Sequence, residues 1–212
     1  MAASVLRYSY LNRLLGYMND IIIAAMSIVG VLIAFVLGER KSGREQKKYK
    51  ENLWLELEDI REGLESILDS LLDEFRHPVR NSRVKPLEID WGYLNDLQKG
   101  LGADIPFPIR KALKEIKLRD KVVKSVITKK NNNATQLENG QVLVNYQLSA
   151  RAILEMSKLL YVIFKLLEVK DNYKLGTGLD VQDVMRSLFN TIDQHREISD
   201  AEIERIYNSA PR

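Results

Sequence analysis

The chain has no cysteine among its 212 residues. That excludes a disulfide framework, a thiolate metal centre and a cysteine nucleophile. Histidine is nearly absent too. His77 stands in a turn before Pro78, and His195 stands in DQHRE at a helix end. Neither belongs to a metal-spaced pair, and both read as surface residues. No phosphate loop is present, because GERKSGRE lacks the following Lys-Ser/Thr. DNYKLGTGLDVQ fails as a calcium loop, with Tyr173 and Leu175 at ligand positions and Gln182 where a bidentate glutamate belongs. KLGTGL lacks the strand and spacing of a dinucleotide fingerprint, and no nucleophile-elbow serine occurs. Strand-like alternation is missing apart from QVLVNY, and no internal repeat is visible. The sequence therefore implies no cofactor, no metal and no recognisable catalytic site.

What is present begins with a long uncharged run. Ile21 to Gly38 contains no charged residue and ends in ERKSGREQKKYK. Eighteen helical residues span about 27 Å, close to the hydrocarbon thickness of a bilayer. A cleaved signal would have a shorter apolar core and a small-x-small cleavage site, whereas this flank, FVLGERK, is bulky and then basic. A buried soluble helix would carry a polar stripe, and only Ser27 is polar here. The expectation is a single transmembrane helix over 20–38, after a short interfacial segment over 1–19. Arg40, Lys41, Arg44, Lys47, Lys48 and Lys50 follow in a basic linker over 39–50, against Arg7 and Arg13 before the run. The positive-inside rule then expects an integral protein of a plasma or inner membrane, its C-terminal domain cytoplasmic and its short N-terminus outside. Gly30, Ala34 and Gly38 recur every four residues, a spacing that lets two membrane helices self-associate. Asn133-Ala134-Thr135 is a glycosylation sequon that would report on this orientation.

Residues 51–212 are expected to form an all-α bundle of five to six helices, the first of them long. Leu53, Leu57, Ile60, Leu64, Ile67 and Leu71 make a heptad seam, which Leu68, Leu72 and Phe75 broaden towards a bundle face. His77-Pro78 ends it. A loop over 79–90 precedes a short helix from Trp91 to Lys99, stopped by Gly100 or Gly102. The next helix, Phe107 to Lys129, carries Ile109, Leu113, Ile116, Val123 and Ile127 on one face, and the Asn131–Asn133 triplet breaks it. The segment from about Gln141 to Val169 is the most apolar of this part. Arg151, Glu155, Lys158, Lys165 and Glu168 exclude it as a membrane span and make it the central helix of the bundle. Two helices follow a loop over 171–178. One has Val181, Val184, Met185, Leu188 and Ile192 behind an Asp180 cap. The other is announced by ISDAEIERIY, with Ser199 capping and Ile198 stapled to Ile203.

The net charge of +3 is too small to imply nucleic acid, but the charge is unevenly spread. Between Glu51 and Glu74, nine acids face one base, Arg61. Between Arg110 and Lys130, nine bases face Glu115 and Asp120. Arg110, Lys114, Lys117, Lys121 and Lys124 step by four and three, the stripe of a basic amphipathic helix. Three readings compete. The acidic and basic helices are bundle neighbours or simply solvated. Or the stripe lies on anionic lipid. Or it meets an acidic protein or nucleic acid. The absence of aromatic residues among 108–130 weighs against nucleic acid.

The parts are generic and point to no one family. The function they suggest is a single-pass, membrane-anchored helical interaction or scaffold protein that takes a protein partner or forms a homo-oligomer. The first alternative is a tethered module binding anionic lipid head groups or another polyanion through the basic helix. The second is a membrane-bound enzyme with an acid/base site that no short motif reveals.

Overall fold

A computed structural model describes residues 43–102, 105–174, 180–192 and 198–211. The chain divides into two units, Met1–Lys48 and Tyr49–Arg212, and the account below concerns the second.

Helix α1 occupies 43–76 among the described residues. Its buried face is Leu53, Leu57, Ile60, Leu64, Leu68, Leu71, Leu72 and Phe75, with Ile67 only partly covered. That width suits a bundle helix with several neighbours better than a two-helix seam. Gly63 has a positive use within it: a Cβ there would stand 3.1 Å from the Leu87 methyl carbons, so glycine lets the following loop lie close. Helix α2, Trp91–Leu101, starts where Asp90 accepts the Tyr93 N–H at 2.9 Å. It ends at Gly102 in a left-handed conformation, φ 54°, which favours glycine over a side-chain-bearing residue. Helix α3 runs from Phe107 to Asn132, past the start of the asparagine triplet, and helix α4 from Tyr146 to Val169. Helix α5 is Val181–Ile192 and α6 is Asp200–Ser209.

Helix α4 is the hub. It packs against α3, α5 and α6, and residues from Ala150 to Leu166 are buried over most of its circumference. Its acid Glu155 is buried between Arg151 at 2.9 Å and Lys158 at 3.0 Å, so the charge is matched before it is covered. Ser199 caps α6 by accepting the Glu202 N–H, and Ile203 is buried beside the partly covered Ile198. Glu202 stands three residues after the Ser199 cap, where its carboxylate could reach back to the Ser199 N–H, but it does not. Arg76 at the end of α1 takes it instead, with two hydrogen bonds of 2.7 and 2.9 Å.

One element departs from the sequence reading. The segment at 141–145 is not helical: α4 starts at Tyr146, behind Asn145, whose side chain accepts the Gln147 and Leu148 N–H groups. Before it stands a small antiparallel sheet of β1 (Val79–Arg80), β2 (Thr135–Gln136) and β3 (Val142–Leu143), in the order β1-β3-β2. Leu143 faces Val79 on one side and Thr135 on the other. The β2–β3 turn works because Gly140 takes φ 81°, which a Cβ would strain. The sheet ties the chain after α1 to the chain between α3 and α4.

The expected integral membrane localisation is corrected. Among the described residues no helix is long and apolar enough to cross a membrane. The most apolar helix, α4, carries charges along its length, each costing about 2.5–3.5 kcal/mol at a bilayer centre. The expected span over 20–38, the segment over 1–19, the Gly30/Ala34/Gly38 face and the topology residues Arg40 and Lys41 lie outside the described residues. A cytoplasmic domain with an outside N-terminus therefore has no structural footing. Of the remaining basic residues, Arg44, Lys47, Lys48 and Lys50 are helical, and Lys50 pairs with Asp171.

Candidate binding surface

The basic stripe does not survive as a unit. Lys117 turns aside so that its ammonium sits over the Trp91 ring, 5.4 Å from the centroid. Lys124 is drawn the same way, to Glu88 at 3.2 Å and Asp120 at 3.4 Å. Asp120 is only 2% exposed, and it also accepts the Trp91 indole N–H at 2.9 Å. Trp91, Glu88, Asp120, Lys117 and Lys124 thus form a polar seam that docks the start of α2 onto α3. Two of the five expected stripe residues are used up in holding the fold.

Arg110, Lys114 and Lys121 remain outward, and the structure adds Lys111 and Lys129, which the four-three stepping passes over. All five are exposed and have no acidic partner among the described residues. The same side carries Phe107 (68% exposed), Leu118 (63%) and Val122 (44%). At 100° per residue these eight positions fall within an arc of about 120°. The buried residues Ile109, Ile116, Val123 and Ile127 lie opposite. The acids of α3 are elsewhere: Glu115 holds Arg119, and Asp120 is inside. Along a helix of 26 residues, about 39 Å, one face carries these cations and apolar side chains together with the uncharged Ser125, Thr128 and Asn132, and no acid.

The acidic helix does not cancel that face. Arg61 draws in Glu58 at 2.9 Å and Glu65 at 3.4 Å on α1 itself, and Asp73 pairs with Arg80. Burial and then the neighbours Asp59 and Asp90 raise Glu56 above the ordinary carboxylate range. Glu74 and Lys130 do join α1 to α3, as an ion pair with both side chains fully enclosed. Glu74 also accepts the Val84 N–H at 3.2 Å, and Asn131 donates to the Val84 carbonyl at 2.9 Å. Burial pushes Lys130 below the usual lysine range, against the pull of Glu74. This pair is a lock between helix ends; with no exposed atom it offers nothing to a substrate.

A second surface feature is an open groove of about 770 Å³ between α1, α4 and α5. Trp54, Leu55, Phe164 and Leu167 line it, and Glu51, Glu58, Glu168, Arg61 and Lys170 give its rim both signs of charge. The Arg61 guanidinium lies over the Phe164 ring at 5.2 Å. Among the described residues no group of three His, Cys, Asp or Glu side chains is placed to hold a metal ion. His77 is exposed at the end of α1, and His195 lies outside the described residues.

Comparison with known proteins finds no matching family model, no matching curated protein and no matching solved structure.

Proposed function

We propose that this chain works by binding rather than by catalysis: a helical interaction module whose contact surface is the outward face of α3 and whose ligand is densely anionic. One observation carries the reading. Arg110, Lys111, Lys114, Lys121 and Lys129 share a face with Phe107, Leu118 and Val122, and no acid lies among them. Arg61, Arg76, Arg80 and Arg186, elsewhere on the surface, are each matched by an acid. Unmatched cations repel one another and weaken the fold slightly, so a surface that gathers them gains only when an anion arrives. The test is retention of the full chain on immobilised heparin as a soluble polyanion. Salt-sensitive retention is expected, and the variant R110E/K114E/K121E should elute with the void. Equal retention of variant and parent would overturn the reading.

A protein partner is the second reading, favoured by the α1–α4–α5 groove, where Leu55 is 63% exposed beside Trp54 and Phe164. A second copy of the chain would be detected by light scattering of the parent and of Leu55→Glu. A dimer that Leu55→Glu converts to monomer supports it; a monomeric parent removes self-association.

A further inference from the structure

We infer that the anion recognised by α3 is a bilayer surface rich in acidic phospholipid, an inference that rests on the polyanion reading above. The face has the layout of an interfacial helix. Phe107, Leu118 and the small Ser125 lie near the centre of the arc, Arg110, Lys114 and Lys121 to one side with Thr128 and Asn132, Lys111 and Lys129 to the other with Val122 beyond. A helix so arranged lies in the plane of the surface, its apolar centre dipping below the head groups while the flanking cations meet phosphate and carboxylate.

The apolar residues decide against nucleic acid. Leu118 and Val122 offer neither hydrogen bonds nor stacking planes, and against a phosphate backbone they would be held in a polar layer with nothing to cover them. Phe107 is the sole aromatic on this face, at the first residue of α3. A bilayer has a place for all three apolar side chains and a diffuse negative field for the five cations. The seam beneath serves the same end. Because Lys117 and Lys124 are held by Trp91, Glu88 and Asp120, the helix is fixed with one face outward and cannot roll its cations inward.

The absence of cysteine makes a local test possible. In the full chain, Leu118→Cys carries a single environment-sensitive fluorophore, and Asn190→Cys, exposed on α5, is the control. Vesicles are phosphatidylcholine alone or with roughly one-third phosphatidylserine, at low salt, where surface potentials act furthest. The expected result is a blue shift at position 118 on the acidic vesicles, reversed by salt. No shift is expected on phosphatidylcholine or at position 190. Adding K114Q/K121Q should weaken the apparent affinity by roughly twenty-five-fold, at about fivefold per cation lost, and K114E/K121E by more. A shift of equal size at 118 and 190, or on neutral vesicles, would overturn the inference. If position 118 ignores acidic vesicles while the chain still binds heparin, the lipid inference falls and the polyanion reading stands. If neither vesicle nor heparin is bound, both fall.

Discussion

Removing one partner of the Glu74–Lys130 pair should be among the costliest single changes in the second unit. Both side chains have no exposed surface, so neither can recover hydration when its partner goes. Lys130→Met leaves a buried carboxylate held by the Val84 N–H, and Glu74→Leu leaves a buried ammonium without its counter-ion. Breaking such a pair costs about 3–5 kcal/mol, whereas replacing both members by apolar residues of similar size is often neutral. The double variant Glu74→Leu/Lys130→Met should therefore lie within about 2 kcal/mol of the parent, far better than the sum of the single variants. Glu74→Gln keeps an acceptor for Val84 but strips the opposite charge from Lys130. Burial already lowers Lys130 from its ordinary 10.5, and without Glu74 it falls further. The folded protein then holds that proton less tightly than the unfolded chain, so the Glu74→Gln deficit should shrink as pH rises towards 10.5. Urea unfolding followed by far-UV circular dichroism, at constant slope, measures the parent and the four variants. Single-variant losses below about 1 kcal/mol, or a double variant equal to the sum of the singles, would refute the reasoning.

Three further outcomes follow from the same contacts. Asp120→Ala strands the Trp91 indole N–H and one contact of Lys124, and should cost about 1–3 kcal/mol in urea unfolding with a change in Trp91 fluorescence; Asp120→Asn should cost less. The Arg76 hydrogen bonds, with the Arg76 and Arg205 charges, hold Glu202 below its ordinary 4.5. Its contribution is present above that value and lost as pH falls through the lower folded value. Because Arg76 is more than a third exposed, Glu202→Gln should cost only about 0.5–1 kcal/mol at neutral pH, a gap that closes in acid unfolding curves. Ser199→Ala removes the acceptor of the Glu202 N–H and should cost about 1 kcal/mol by thermal unfolding.

The parts of the fold legible in sequence were those set by one local pattern. The apolar face of α1, the centrality of α4 and the Ser199 cap each follow from periodicity or a four-residue signature. The hairpin was half-visible: Asn139-Gly140 is a strong turn signal beside QVLVNY, but its partner strands are only two residues long and polar or half-buried. The site was legible in composition and not in geometry. Stepping by four and three locates a stripe on an isolated cylinder, whereas the neighbours decide which cations stay free. Trp91 and Glu88, roughly thirty residues upstream of their partners on α3, claim Lys117 and Lys124. Asp120 looks in sequence like one more surface acid and is the buried post of that seam. Nothing local marks Glu74 and Lys130 as partners, since they meet across 56 positions.

The central claim is that the outward face of α3 is where the anion sits. Acetylation rates of individual lysines, read by mass spectrometry on the full chain with and without saturating polyphosphate, test it residue by residue. Lys111, Lys114, Lys121 and Lys129 should be protected together, while Lys85 and Lys99, exposed on other segments, keep their rates. Protection spread evenly over all lysines, or confined to residues away from α3, would contradict the account.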